Sequence, residues 1–182
     1  MLNDPALLKS LSDTELPPVE QWDPAYCGAI DLVIRADGRW DYEGTPIGRR
    51  RLQILFSRII KKENDRYFLV TPVEKVAIKV VWQPFVIVDF DIEEQDGQAI
   101  YRLTDNCENQ IELNRPGQIQ LDNYQGQRLP IVNVRRNLYA SFSRSCYYRL
   151  LEQAEIVEQH DPHQVQITSK GLTFQLGEFT ED

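Results

Sequence analysis

Cysteine is scarce in this 182-residue sequence, which has three cysteines and no Cys-x-x-Cys motif. They are Cys27, Cys107 and Cys146. An odd number cannot pair completely, and disulfide frameworks are typical of short, cysteine-dense secreted chains. We therefore expect three free thiols and a reducing compartment. A nucleophilic cysteine needs a neighbouring base, and both histidines are far from Cys27 in sequence, so we expect Cys27 to be a small buried residue.

Histidine is scarcer still, since only His160 and His163 are present. Pro162 lies between them and excludes the regular helix that would place both rings on one face, so we expect a solvated loop and no metal site. The sequence also lacks the glycine-rich nucleotide-binding motifs and the Gly-x-Ser-x-Gly nucleophile motif. These absences predict no cofactor and favour a protein without catalytic activity.

Basic residues are outnumbered, with 20 against 28 acidic ones and a formal net charge of −8. Such a chain would repel a phosphate backbone, which argues against a nucleic-acid partner. No stretch approaches the roughly 18 apolar residues of a membrane span. The segment Met1 to Glu15 has neither the basic nor the apolar part of a signal peptide. We therefore expect a cytoplasmic protein that does not bind membranes.

The first half of the sequence shows alternating and helical periodicity in turn. Residues 1–21 form an expected N-terminal arm. Ile30 to Arg35 predicts a strand, the Asp37-Gly38 turn follows, and Trp40 and Tyr42 alternate with polar residues on a returning strand. Thr45 and Pro46 then resemble the start of a helix. That helix is predicted to carry one apolar stripe, formed by Leu52, Leu55, Phe56, Ile59 and Ile60, with Lys61 and Lys62 at its end.

The second half begins with strands and has its least clear region at 104–129, where proline and glycine punctuate short apolar runs. A second helix is predicted from about Val134 to Glu155, with an apolar stripe. The stripe consists of Leu138, Phe142, Cys146 and Leu150. A last hairpin is expected around Ser169-Lys170-Gly171.

The two predicted helices share a sequence pattern. Arg49 to Arg58 and Arg135 to Arg144 are identical at six of ten aligned positions. Because strands flank both segments, we predict an α+β fold with two similar ββαββ-like units and antiparallel sheets. The units would comprise residues 22–83 and 84–182, with a groove between them. A chance match between two amphipathic helices is the alternative.

Several short motifs in order along the chain resemble one bacterial family. They are Pro17-Pro18-Val19, Cys27-Gly28-Ala29-Ile30-Asp31, Asp37-Gly38-Arg39-Trp40, Gly44-Thr45-Pro46-Ile47-Gly48-Arg49, Thr71-Pro72-Val73-Glu74-Lys75 and Pro84-Phe85, with weaker matches from Pro130 to Arg144. The sequence resembles the proteobacterial domain-of-unknown-function family 1285. That resemblance implies two similar α+β domains and a regulatory or signalling role, and it implies no known reaction. A His-Pro step expected in this family is Arg115-Pro116 here, which puts any role of that histidine in doubt.

Two arginines are the leading candidates for a binding site. On a helical wheel Arg49 and Arg135 each fall in line with the apolar stripe of their predicted helix. A guanidinium there needs either a bound anion or a protein carboxylate such as Asp31 or Asp37. Trp40 and Tyr42 are expected to be core residues first and groove residues second.

These observations predict a regulatory or ligand-binding protein with a small ligand, for example an anion, in the groove. The residues to test are Asp31, Trp40, Tyr42, Arg49 and Arg135. An enzyme with a carboxylate–arginine site and a protein-interaction adaptor remain open as alternatives. A deep pocket would favour a ligand, and a flat apolar patch would favour the adaptor.

Overall fold

The computed structural model describes residues 15–159 and 162–180. It divides into two compact units, with the boundary between Pro84 and Phe85. Helix α1 (Arg50–Ser57) belongs to the first unit and helix α2 (Arg144–Leu151) to the second. Neither helix within the described ranges is long and apolar enough to cross a bilayer.

The N-terminal unit contains one six-stranded sheet, preceded by a short 3-10 turn at Val19–Gln21. Its strands are β1 (Tyr26–Ile34), β2 (Trp40–Tyr42), β3 (Thr45–Pro46), β4 (Ile60–Glu63), β5 (Arg66–Val70) and β6 (Lys75–Val80). Across the sheet they lie in the order β4-β5-β6-β1-β2-β3. All neighbours are antiparallel except β1 and β6, which form a central parallel pair.

The C-terminal unit contains a second six-stranded sheet and a smaller three-stranded one. The larger sheet comprises β7 (Phe85–Gln95), β8 (Gln98–Asp105), β9 (Gln110–Glu112), β10 (Ile119–Tyr124), β11 (Gln127–Arg135) and β12 (Leu138–Phe142). Its order is β10-β11-β12-β7-β8-β9, with β7 and β12 parallel at the centre. The smaller sheet comprises β13 (Glu155–Val157), β14 (His163–Ser169) and β15 (Leu172–Phe179).

The two larger sheets follow the same path. In each, the first strand pairs in parallel with the sixth, the second and third strands extend one side, and the fourth and fifth extend the other. The predicted α+β fold with two similar units is therefore confirmed. The sheets are mixed rather than wholly antiparallel, because the first and sixth strands of each pair in parallel at its centre.

The β1–β2 hairpin forms as the alternating pattern predicts. Ile34 pairs with Trp40 and Leu32 with Tyr42, which places these side chains on one face of the sheet. Ile34 and Trp40 are fully buried there. Gly38 occupies the turn at a φ of 85°, a conformation that glycine adopts without the steric cost of a Cβ.

The first helix is shorter than its sequence pattern predicts. It begins after Arg49, whose backbone is extended, and ends at Ser57. Ile59 and Ile60 are fully buried, but they lead into strand β4, which also contains Lys61 and Lys62. The predicted helix start at Thr45 and Pro46 is wrong, because these two residues form β3 against β2.

The second helix and the sequence repeat are placed incorrectly by the pattern. Arg135 and Leu138 pair across a hairpin, and Arg136 in the turn has a φ of 51°, which no helix interior allows. The helix starts only after Ser143, whose side chain accepts the backbone N–H of Cys146. The match between the Arg49 and Arg135 segments thus aligns a helix with a hairpin, and the structural repeat lies in the strand order instead.

The three-stranded sheet packs on the larger sheet of the same unit. Ser169, which is fully buried in the predicted β14–β15 hairpin, links the two. Its hydroxyl donates to the carbonyl of Leu113 at 2.7 Å and accepts the N–H of Tyr101 at 3.0 Å. The pattern missed β11, β12 and β13, and it left this packing unpredicted.

Candidate functional site

An apolar cavity of about 420 Å³ lies within the N-terminal unit, lined by helix α1, strands of the sheet and the loops beside them. Its apolar lining comprises Ile30, Leu32, Ile47, Leu52, Phe56, Leu69 and Val76, and its polar lining comprises Tyr42, Thr71 and Glu74. Cavities of this size and composition, mostly apolar with few polar groups, are typical of small-molecule sites.

Helix α1 forms one wall of the cavity. Leu52 and Phe56 are four residues apart, so both point from the same face of the helix. Gln53 anchors the helix to the preceding loop, because its side-chain amide donates to the carbonyl of Ile47 at 2.7 Å. Leu52 remains half-buried, so the helix leaves space above the sheet that its apolar side chains do not fill.

A tight turn between β5 and β6 places the charged residue Glu74 at the cavity. The hydroxyl oxygen of Thr71 accepts the N–H of Glu74 at 3.1 Å, and the N–H of Thr71 donates to the carbonyl of Glu74 at 2.8 Å. Pro72 lies within this turn and restricts its φ. Both backbone groups of Glu74 are therefore fixed by one buried threonine.

Among the described residues, Glu74 is the one charged residue that lines the cavity. Its Oε1 atom is buried and has no hydrogen-bond partner among the described residues. A buried carboxyl oxygen without a partner carries a desolvation cost that a bound donor removes. The mostly apolar cavity is therefore lined by a residue with one buried carboxyl oxygen that lacks a partner among the described residues.

Two of the five predicted site residues lie at this cavity or beside it. Tyr42 lines it and is 44% exposed, and Trp40 is on the same face of the sheet but fully buried. The Trp40 indole N–H has no hydrogen-bond partner among the described residues. Trp40 is thus a core residue, as its alternation indicated.

Asp31 and Arg49 lie away from the cavity lining. Asp31 is exposed on β1, next to the inward-pointing Leu32, and its carbonyl accepts the N–H of Glu43 at 2.9 Å. Arg49 is exposed and precedes α1, so its side chain is outside the buried stripe in which the wheel placed it. The carboxylate that pairs with arginines in this region is the buried Asp41, which contacts Arg35 at 2.7 Å. Neither Asp31 nor Asp37 has that role.

Arg135 lies in the C-terminal unit, at the end of β11. Its Nη1 donates to Oδ1 of Asn109 at 3.0 Å, and its guanidinium stacks over the ring of Phe85 at 4.8 Å. Asn109 in turn donates to the fully buried Asp105 at 2.7 Å. Burial raises the pKa of Asp105, while the hydrogen bonds from Asn109 oppose that rise. This network braces the turn between β8 and β9, and an anion at Arg135 stays a prediction.

Sequence reasoning missed Glu74 as a site residue. It stands in the quoted segment Thr71-Pro72-Val73-Glu74-Lys75, and a threonine before Pro-x-Glu is a signal for a turn held by its side chain. Periodicity gives no such signal, because the residue lies between two strands.

The three cysteines are free, as predicted, but Cys27 is exposed rather than buried. It lies near the start of β1, where the first residues of the strand are exposed. Its thiol donates to the carbonyl of Ala25 at 3.3 Å. Among the described residues, no three histidine, cysteine or acidic side chains are grouped closely enough to hold a metal. His160 and Asp161 lie outside the described residues, and His163 belongs to β14 rather than to a loop.

Fold and cavity together define a protein of two α+β units whose six-stranded sheets follow the same strand order. Glu74 lines an apolar cavity in the first unit. The family model of the N-terminal domain of DUF1285, a domain of unknown function, matches residues 17–83. The model of the C-terminal domain of DUF1285, a protein of unknown function, matches residues 84–176. The chain belongs to the DUF1285 family.

Two solved structures of similar proteins support this membership. A DUF1285 family protein from Silicibacter pomeroyi DSS-3 is 36% identical, with 94% of each chain covered and a TM-score of 0.79. A DUF1285 family protein from Shewanella baltica OS155 is 28% identical, with 68% of this chain and 91% of that chain covered and a TM-score of 0.56. No curated protein matches the chain significantly.

Proposed function

We propose that this protein is a non-enzymatic, regulatory ligand-binding protein, and that its N-terminal cavity binds a small molecule with an apolar body and a hydrogen-bond-donating head group, best an amine. The observation that carries the proposal is that Glu74 lines an apolar cavity and that its buried Oε1 has no hydrogen-bond partner among the described residues.

The chemistry of the lining selects the ligand. Seven apolar side chains favour a hydrocarbon body, because its transfer from water releases roughly 25 cal/mol for each Å² buried. An ammonium group beside Glu74 would form a charge-assisted hydrogen bond, which is stronger than one between neutral groups. An anionic head group would instead face a carboxyl group with no basic residue in the lining to offset it.

The same lining supports binding rather than catalysis. Acid–base catalysis needs positioned groups with separate roles, and Glu74 has neither a second carboxylate nor an arginine beside it in the lining. A ligand enclosed between α1 and the sheet would stabilise the N-terminal unit, and that is how binding can serve regulation. The free, exposed thiol of Cys27 supports a reducing, cytoplasmic setting for this role.

Thermal unfolding in the presence of three probes tests the proposal. The probes are octylamine, octan-1-ol and octanoic acid, which share one apolar body and differ in the head group. All three tryptophans, Trp22, Trp40 and Trp82, precede the unit boundary, so their fluorescence reports on the N-terminal unit. We expect the unfolding temperature to rise most with the amine, less with the alcohol and least with the acid.

Two pairs of variants locate the effect. Glu74→Gln should abolish the preference for the amine, whereas Glu94→Gln, at an exposed position in the other unit, should keep it. Val76→Phe should fill the cavity and abolish all three shifts, whereas Val81→Phe, at an exposed position of the same unit, should not. Equal shifts in wild type and Val76→Phe would refute binding in this cavity.

A further inference from the structure

A second, polar depression lies in the C-terminal unit and has a volume of about 270 Å³. It is formed where the segment before β10 meets the β11–β12 hairpin. Arg115 and Arg136 line it from these two sides, together with Gln118, Asn133 and Tyr139. No acidic residue in the described part of the chain lines it, although the chain has eight more acidic than basic residues.

One buried amide fixes the segment that carries Arg115. Gln118 is 4% exposed, and its Oε1 accepts the N–H groups of Asn114 at 3.2 Å and Arg115 at 3.3 Å. Its Nε2 donates to the carbonyl of Glu112 at 2.9 Å. Since the side chain of Gln118 makes all three bonds, the backbone at Arg115 has a defined position.

A second amide connects the two arginines. The N–H of Asn133 donates to the carbonyl of Gln118 at 2.8 Å, and its side-chain Nδ2 donates to the carbonyl of Arg136 at 2.8 Å. Its Oδ1 lies 3.5 Å from Nη2 of Arg115. Asn133 therefore holds the hairpin turn and the Arg115 segment in one arrangement.

The electrostatic environment of Arg115 differs from that of other arginines in this unit. Arg102, Arg128 and Arg149 each contact a carboxylate. Within the described ranges, the guanidinium of Arg115 contacts only the amide oxygen of Asn133. An amide oxygen leaves most of the charge of a guanidinium available to an anion.

We propose that Arg115 and Arg136 bind the phosphate group of a phosphate monoester, with the hydroxyl of Tyr139 as a third donor. A monoester carries nearly two negative charges at neutral pH and has three terminal oxygens, which suits two guanidiniums and one hydroxyl. The Tyr139 oxygen accepts from Nε2 of Gln120 at 3.5 Å, which leaves its own hydrogen to donate. The depression equals the volume of about nine water molecules, enough for a phosphate and a small part of its ester.

Isothermal titration of the full chain with inorganic phosphate, glycerol 3-phosphate and glycerol tests this site, which is independent of the function proposed for the N-terminal cavity. We expect saturable binding of phosphate, equal or tighter binding of glycerol 3-phosphate, and no binding of glycerol. The double variant Arg115→Gln/Arg136→Gln should weaken phosphate binding at least about tenfold, since each charged hydrogen bond contributes substantially to affinity. Arg51→Gln, at an exposed position on α1, should bind as the wild type does.

Three results would overturn the assignment: no saturable phosphate binding by the wild type, unchanged binding by the double variant, or weaker binding of glycerol 3-phosphate than of phosphate. The amide NMR spectrum of each variant verifies its fold. Should the double variant misfold, Arg115→Gln alone serves, because that side chain is exposed and its guanidinium has one hydrogen-bond partner, Asn133, among the described residues. It should weaken phosphate binding at least about threefold.

Discussion

The hydroxyl oxygen of Thr71 accepts the backbone N–H of Glu74 at 3.1 Å, and this bond fixes the backbone from which the side chain of Glu74 extends to the N-terminal cavity. Thr71 is 3% exposed, so water does not compete for its hydroxyl. The reverse contact, from the Thr71 N–H to the Glu74 carbonyl at 2.8 Å, closes the turn. The position of Glu74 at the cavity thus depends on Thr71, whose own role is structural.

Replacement of Thr71 should therefore destabilise the N-terminal unit when it removes the hydroxyl that accepts the N–H of Glu74. Thr71→Val keeps the shape but leaves the N–H of Glu74 without a partner, at an expected cost of about 1–3 kcal/mol in unfolding free energy. Thr71→Ser keeps the hydroxyl and loses one methyl group, so it should cost less than Thr71→Val, at about 0.8 kcal/mol. Urea unfolding followed by tryptophan fluorescence measures both. Equal losses in the two variants would contradict a role for the hydroxyl.

Replacement of Glu74 by an apolar residue should stabilise the ligand-free protein. Glu74→Met keeps the side-chain length and removes the buried oxygen that lacks a partner, so we expect unfolding free energy to rise by about 1 kcal/mol. The same fluorescence measurement applies, with Glu94→Gln as the control at an exposed carboxylate. A loss of stability in Glu74→Met would show that the carboxyl group has a structural partner.

Strand alternation in the N-terminal unit was readable from sequence because every second residue of β1 and β2 faces one core. Ile34 and Trp40 are buried, and the glycine at the turn fixes their register. The hairpin that ends at Phe142 misled the helical analysis, since residues four apart share a face in a strand as well as in a helix. Leu138 and Phe142 satisfy the strand, and Cys146 and Leu150 continue the same spacing in the helix.

The candidate site was predicted only in part for a different reason. Tyr42 lies at the cavity because it shares the inward face of β2 with Trp40, and alternation predicts that. The cavity itself depends on how far α1 lies from the sheet, which is a property of packing and has no local pattern. Glu74 enters it through a turn between two strands, so neither helical nor strand periodicity identifies it.

Thiol reactivity should separate the three cysteines in the native protein. Cys27 is exposed, whereas Cys107 and Cys146 are buried, and burial raises the pKa of Cys146 to about 11. Since the thiolate is the reactive form, we expect one rapidly reacting thiol per chain before unfolding and three afterwards, with an aromatic disulfide reagent and no reductant. Cys27→Ser should remove the rapid phase. A second rapid thiol would show that the structure opens around Cys107 or Cys146.

The last prediction concerns Glu63, which forms ion pairs with Lys75 at 3.0 Å and with Lys61 at 3.1 Å. The hydrogen bond from Lys75 lowers the pKa of Glu63 below its usual value, with Lys61 adding to the effect. A carboxyl group whose pKa is lower in the folded state stabilises that state above its unfolded pKa. This contribution is lost as the pH falls through the folded pKa.

Glu63→Gln should accordingly lower the unfolding free energy of the N-terminal unit by up to about 1 kcal/mol at neutral pH, a modest value because Glu63 is partly exposed to solvent. The difference from wild type should shrink as the pH is lowered below about 4.5 and nearly vanish once the wild-type carboxyl group is protonated. Urea titrations by tryptophan fluorescence across this pH range measure the difference, and Glu94→Gln should show none at any pH. A difference that persists undiminished in acid would mean that Glu63 stabilises the sheet through packing rather than through its charge.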